Sequence, residues 1–381
     1  MRPRVVYWNN IPAPYMVERF NAVARRRNLE LEVWFSARTK KGRSWKVDEN
    51  SWNFRHRYLP SINRGTYPLA LPTPLFRGPV PEVFVSLYAA PTFLLGSALA
   101  SARGARTAFW VEVTFDSWVR RRRWKETIKS AAFRRVDAIF TAGRDGRNFA
   151  LRYGGSPDRI FVVPHMVDFD HYAGRASRAS RERERLRAEL GLRGVTFIYV
   201  GRLWVGKGLN YLLDAFGTLQ RTTPNDVSLL LVGDGVDESL LRSRCVEEHL
   251  ENVVFAGFHS ADALPTLYAA ADVFVFPTLG DPFGMVVPEA MACGLPVIAT
   301  TASGEIRDRV TDGSTGFIVA PADSEALSKR MLVLTEDGER RNAMADASRR
   351  RVEGQTPDTW AHAFETAIAR TLDLPQARGR H

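Results

Sequence analysis

Short apolar runs alternate with longer segments of helical periodicity along almost the whole chain. In the first half the runs fall at 5–8, 31–35, 83–87, 107–111, 138–141 and 160–163. In the second half they fall at 195–200, 227–232, 253–256, 273–276, 297–300 and 316–319. Runs this short and this continuously apolar predict parallel strands buried on both faces. Their alternation with helix-like segments predicts two doubly wound α/β domains. The break is expected within 164–194, where the stretch 175–187 is rich in Arg, Ser and Glu and poor in large apolar side chains. That stretch predicts a surface linker and an exposed helix over 180–190. The domains are therefore expected at 1–165 and 166–381, with a last helix at about 357–373 packing back toward the first domain.

One stretch, 83–100, carries no charge over 18 residues. A membrane span needs about 20 strongly apolar residues, whereas this one holds Pro91, Gly96 and many small side chains. It predicts a buried strand at 83–87 and a helix at 92–102 packed on it. Apolar content of 45% and charged content of 25% are those of a folded soluble protein of 381 residues, enough for two domains. Two cysteines, Cys245 and Cys293, do not make a disulfide framework and fit a reducing compartment. The first residues hold no apolar core of signal-peptide length. The expected location is cytoplasmic, with peripheral contact on the inner face of the membrane left open.

Charge keeps that question open. Residues 1–160 hold 29 Lys and Arg against 12 Asp and Glu, a balance of +17, while the remainder holds 24 against 30, a balance of −6. A basic first half predicts an anionic partner: a membrane surface, a lipid phosphate or nucleic acid. The densest region is Arg120-Arg-Arg-Arg-Trp-Lys125 with Lys129, Arg134 and Arg135, on a helix predicted over 117–135 that interleaves Trp118 and Trp124. Basic and aromatic residues together suit an anionic bilayer and also nucleic acid. A solvated helix face has the same pattern.

The candidate chemistry lies in the second half. Asp281-Pro-Phe-Gly-Met-Val-Val-Pro-Glu289 sets two acids around a Phe-Gly turn, the second opening a helix predicted over 289–293. Such acids accept hydrogen bonds from sugar hydroxyls, and a helix start offers N–H groups to phosphate. Arg202 and Lys207 follow the run at 195–200, Gly233 and Asp234 the run at 227–232, and Asp281 the run at 273–276. Ligands bind outside the carboxyl ends of parallel strands, so three motifs converge on one sheet edge. There the Arg fork and the Lys point charge can stabilise a departing diphosphate without a metal. No His/Asp cluster with metal spacing is present in the sequence.

The acid pair closely resembles the acid-x7-acid motif of retaining glycosyltransferases of family 4, which have the GT-B fold. Val200-Gly201-Arg202-Leu203-Trp204-Val205-Gly206-Lys207-Gly208 resembles that family's phosphate-binding segment, and Leu231-Val232-Gly233-Asp234-Gly235 its "L-V-G-D-G". Ser303-Gly304-Glu305-Ile306 and Asp312-Gly313-Ser314-Thr315-Gly316-Phe317 resemble two further segments, and Pro164-His165-Met166-Val167-Asp168 the "P-N-G-V-D" of the domain hinge. The detailed match covers about 195–320; the first half matches in layout only.

The resemblance implies two Rossmann-like domains facing a central cleft, the first for an acceptor and the second for the donor. It implies transfer of a sugar from a nucleoside-diphosphate sugar, a UDP-sugar ahead of a GDP-sugar, to a hydroxyl acceptor with retention at the anomeric carbon. No cofactor is expected. Glu289 takes the ribose hydroxyls, and Asp281 stands near the transferred sugar where the family usually has Glu, one methylene longer. Gly201, Gly233, Asp234 and the backbone of Phe283, Gly284, Met285 and Val286 are expected to cradle the donor, with the Phe283 ring as packing. Two family features are missing: the Gly-Gly loop, here Asn9-Asn10-Ile11-Pro12-Ala13-Pro14-Tyr15, and a His near the reacting sugar. Glu112 or Asp116 can take part of that His role, and Asp116 alternatively caps the helix from Ser117. His165 is expected to shape the cleft. The expected partners are a nucleotide sugar, an unidentified hydroxyl acceptor and an anionic membrane, with no nucleic acid. The alternatives are a nucleotide-binding protein without transferase activity, and a nucleotide-sugar epimerase, whose acid/base groups are not found. A Rossmann dehydrogenase is set aside because no G-x-G-x-x-G follows the first run.

Overall fold

A computed structural model describes residues 2–39, 48–62, 69–112 and 123–377. They form two compact units. The first takes the described residues of 2–112, 123–165 and 357–377, and the second takes 166–356.

The first unit holds strands β1 (Arg4–Asn9), β2 (Glu30–Phe35), β3 (Arg55–Tyr58), β4 (Ser61–Ile62), β5 (Leu69–Ala70), β6 (Val83–Ser86), β7 (Arg106–Val111), β8 (Ala138–Thr141) and β9 (Ile160–Val162). Its helices are α1 (Pro14–Arg26), α2 (Pro74–Arg77), α3 (Pro91–Ala102), α4 (Arg123–Arg135), α5 (Arg144–Arg152) and a C-terminal helix at Pro357–Asp373. Seven parallel strands run in the order β3-β2-β1-β6-β7-β8-β9, which is doubly wound. The uncharged stretch 83–100 resolves into buried β6 and α3. Its small residues have a reason: a side chain at Gly96 would meet the Trp8 ring at 2.3 Å. β3, Arg-His-Arg-Tyr, carries no apolar run and was not expected; among the described residues it is an edge strand that pairs only with β2. The helix expected over 117–135 is described from Arg123 only; Asp116, Ser117, Trp118 and Arg120–122 lie outside the described residues.

The C-terminal helix lays Trp360 and Phe364 into the first unit's core. Phe364 meets Tyr7 at 6.0 Å and Phe140 at 6.0 Å, and Trp360 meets Trp110 at 5.9 Å and Phe20 at 6.3 Å. Both rings are fully buried, and each such side chain contributes about 2–3 kcal/mol of apolar burial.

The second unit holds β10 (Val195–Val200), β11 (Val227–Val232), β12 (Val253–Gly257), β13 (Val273–Phe276), β14 (Val297–Thr300) and β15 (Gly316–Val319). Its helices are α6 (Phe169–Ala179), α7 (Arg183–Leu190), α8 (Leu209–Thr222), α9 (Glu238–Glu247), α10 (Leu264–Ala270), α11 (Val286–Ala292), α12 (Ile306–Arg309), α13 (Ser324–Glu336) and α14 (Gly338–Val352). The parallel sheet has the order β12-β11-β10-β13-β14-β15. The stretch expected to be a linker is largely helix. α6 buries Phe169, Tyr172, Ala173 and Ala176 and is capped by Asp168, whose Oδ1 accepts from His171 N–H at 3.1 Å. α7 buries no residue, as expected of an exposed helix there, but its Arg183 and Arg187 are held, binding the two oxygens of Asp272 at 2.7 and 3.2 Å.

Candidate functional site

The site begins with strand ends that lie side by side. Val200 pairs with Val232 across β10 and β11, and β13 lies on the other side of β10. Gly201, Gly233 and Gly208 therefore leave the sheet at one edge, and the loops interlock through backbone. Gly233, at φ +137°, could not carry a Cβ, which would sit 1.9 Å from the Gly201 carbonyl oxygen. At Gly208, φ +70°, a Cβ would sit 2.0 Å from the Pro277 oxygen. The Leu203 N–H donates to the Asp234 carbonyl at 2.7 Å, and the Leu279 N–H to the Gly206 carbonyl at 3.1 Å.

Into this frame the structure brings Lys207 and Asp281. Lys207 Nζ donates to Asp281 Oδ2, with the two side chains 14% and 18% exposed. The ammonium also lies 5.6 Å from the centre of the Phe276 ring. Asp281 Oδ1 accepts the Phe283 N–H at 2.9 Å. Burial alone would raise this carboxyl, but the Lys207 charge and these hydrogen bonds outweigh it and hold Asp281 below the usual carboxylate range. The Phe283 N–H is thus turned onto Asp281. Asp is short enough to fold back on its own turn, the habit of Asx residues.

Arg202 is exposed, with its guanidinium 5.2 Å from the Trp204 ring centre, and the Tyr199 hydroxyl donates to its carbonyl at 2.9 Å. Glu289 is half-buried in the first turn of α11, which starts three residues earlier than expected. Burial, and then the Glu289 charge, push up both the Tyr268 phenol and the Cys293 thiol. Met285 precedes α11 as its cap and Val286 is its first residue; both are half-buried. Asp234 is half-buried at the end of β11. Glu112 belongs to the other compact unit, after β7, where Trp110 Nε1 donates to its Oε1 at 2.8 Å.

Arg309 was missed. It is buried, and its guanidinium donates to the carbonyls of Gly284 at 2.9 Å, Gly304 at 2.7 Å and Phe283, and to Ser303 Oγ at 3.2 Å. It also stacks 4.1 Å from the centre of the Phe283 ring. One buried cation thus ties the Phe283-Gly284 turn to the Ser303-Gly304 segment. Only a fork of five donors can serve so many carbonyls. Nothing in the local sequence separates this Arg from a surface one. Among the described residues no three His, Cys, Asp or Glu side chains converge as metal ligands do.

Residues 181–351 match the family described as Glycosyl transferases group 1. Over 264 residues the chain is 34% identical to the GDP-mannose-dependent alpha-(1-6)-phosphatidylinositol monomannoside mannosyltransferase of Mycolicibacterium smegmatis, covering 66% of each. It is 32% identical over 203 residues to the D-inositol 3-phosphate glycosyltransferase of Corynebacterium urealyticum, or 51% of this chain and 47% of that one. The chain spans about half the length of the curated relatives it matches. Among solved structures, Anabaena HepE in complex with UDP aligns over 98% of this chain and 100% of its own, with a TM-score of 0.75 at 20% identity. Sucrose-phosphate synthase from Thermosynechococcus elongatus aligns over 97% and 98%, with a TM-score of 0.74 at 19% identity. The fold is GT-B, with two Rossmann-like α/β domains.

Proposed function

We propose, from the premise that residues 181–351 are a glycosyl transferases group 1 domain, that this protein transfers a sugar from a nucleoside-diphosphate sugar to a hydroxyl acceptor with retention. The observation that carries the reading is the held pair Lys207–Asp281, at the strand edge that also presents Arg202 and Asp234. Lys207 and Arg202 face the diphosphate and stabilise the charge that grows as it leaves. Asp281 holds the Lys207 ammonium through Oδ2 and faces the transferred sugar. Glu289 accepts from the ribose hydroxyls.

In the reaction the bond from the anomeric carbon to the phosphate oxygen breaks, its electron pair going to the diphosphate. The acceptor oxygen bonds the same face of an oxocarbenium-like carbon. Its proton passes to the leaving phosphate. A UDP-sugar or a GDP-sugar fits the reading: HepE is described in complex with UDP, and the mycobacterial relative is named GDP-mannose-dependent. Titration calorimetry with UDP and with GDP tests it. Binding of one of them, weakened at least tenfold in Lys207→Met, is expected; binding of neither refutes it.

Peripheral membrane docking belongs to the same proposal. α4 exposes Trp124 and Ile128 one turn apart, 58% and 49% accessible, in the most basic region of the chain. That pairing suits an anionic interface. No helix among the described residues is long and apolar enough to cross a membrane.

A further inference from the structure

Three residues far apart in the chain meet at the carboxyl ends of the first unit's strands. Arg19 lies on α1, the helix after β1; Glu112 follows β7; His165 follows β9. Arg19 Nη1 contacts His165 Nδ1, and His165 Nε2 lies 3.5 Å from Glu112 Oε1. A guanidinium has donors only. Nδ1 must therefore accept, and the single ring proton sits on Nε2, pointing at the carboxylate. A doubly protonated ring would set N–H against N–H and charge against charge. The ring cannot turn away, because it is 2% exposed and packs at 5.5 Å on Trp110 and 6.1 Å on Tyr15.

Both donors, His165 Nε2 and Trp110 Nε1, address the same Glu112 oxygen, Oε1. Oε2 accepts no hydrogen bond among the described residues, while the side chain as a whole is 31% exposed. Close by, the fully buried Tyr7 hydroxyl has no hydrogen-bond partner among the described residues. Burial, and then the Glu112 charge, push its pKa up. Burial would raise the Glu112 carboxyl as well, but the His165 and Trp110 hydrogen bonds and the Arg19 charge hold it below the usual range. Arg19 is itself lowered to about 10, by burial first, and remains a cation at neutral pH. One carboxylate edge is thus left over, partly exposed, at a strand edge of the kind that binds ligands.

We propose that Arg19 and His165 are positioning residues, which lock Glu112 as an ionised carboxylate whose Oε2 accepts a hydrogen bond from a sugar hydroxyl. This rests on the glycosyl-transfer reading. In the full chain labelled with ¹⁵N-histidine, the His165 resonances, assigned by their loss in His165→Gln, should report the neutral Nε2–H tautomer from pH 8 to pH 5.5. A protonated ring or an Nδ1–H tautomer would overturn the lock.

The second arm follows release of UDP from UDP-glucose, or GDP from GDP-mannose, with water as acceptor. His165→Ala should slow it about tenfold, the value of one hydrogen bond to a charged group, with the nucleoside-diphosphate Kd within twofold of wild type. His165→Gln, which carries an N–H donor where Nε2 sits, should recover most of the rate. In a Glu112→Gln background His165→Ala should cost nothing further; additive losses, or equal losses in the Gln and Ala variants, would show that His165 does not act through Glu112. Failure of UDP and GDP to bind would instead sink the transfer reading, and the tautomer would still decide the lock.

Discussion

Lys207→Met removes the charge that meets Asp281 while keeping an unbranched side chain of similar length. Two unit charges about 4 Å apart attract by about 4 kcal/mol at an effective dielectric of about 20, and this pair is closer than that. Desolvation of both groups offsets much of the attraction. Removing one partner of a buried pair still costs about 3–5 kcal/mol, because the other charge is stranded. Asp281 is 18% exposed, so water relieves part of that, and a loss of about 2 kcal/mol at pH 7 is expected. The sign of its pH dependence follows from the carboxyl. In the native chain Asp281 is held below its ordinary value, so its contribution is present above the unfolded pKa of about 3.9 and is lost as pH falls through the lower folded value. In the variant, burial acts without the ammonium and favours the protonated acid. The gap between the two proteins should therefore close between about pH 5 and pH 3. Urea unfolding at pH 7, 5 and 3 measures it. A gap that stays constant over that range would refute the ion pair as the source of the loss.

Three further outcomes are expected. Glu289→Ala should weaken nucleoside-diphosphate binding by about 1.5 kcal/mol or more, as befits a lost charged hydrogen bond, whereas Asp281→Ala should chiefly blunt discrimination among donor sugars; equal calorimetric losses for the bare diphosphate would show the roles are misassigned. Arg309→Met should destabilise the second unit by about 3 kcal/mol or more by stranding carbonyls, and Arg309→Lys should restore less than half of that in urea unfolding. Replacing Arg120, Arg121, Arg122 and Arg123 with Gln should abolish co-sedimentation with anionic liposomes at low salt and spare UDP or GDP binding; wild-type protein that ignores such liposomes would refute docking, since each basic residue near the surface is worth about 1 kcal/mol.

β10, β11, β13 and β14 were legible because a central parallel strand has no choice but to be apolar on both faces, and the edge strands β12 and β15 carry apolar runs of their own. β3 was not, since an edge strand of Arg, His and Tyr tolerates water. α6 was hidden because its buried positions, Phe169, Tyr172, Ala173 and Ala176, precede an Arg-rich stretch that reads as a break. The polar residues of the second unit's strand edge could be grouped, because residues at the ends of parallel strands meet whatever the loops do. What the side chains do to one another could not be read. Sequence cannot tell that Asp281 turns back on Phe283, or that one Arg among many is buried between two loop segments. Arg19 and His165 are 146 positions apart, and no local pattern joins them.

The return of the C-terminal helix to the first unit bears on how the protein can be dissected. A fragment ending at His165 would lack the two rings that close over Tyr7, Phe20, Trp110 and Phe140, and would present that aromatic floor to solvent. The segment 166–356, by contrast, has its termini tied together, with the Phe169 N–H on the Gln355 carbonyl at 3.0 Å. In topological terms it is an insertion inside a discontinuous host. Expression trials should treat it as a cassette that can be excised, and should rebuild the host by fusing 357–381 to 1–165 through a short linker.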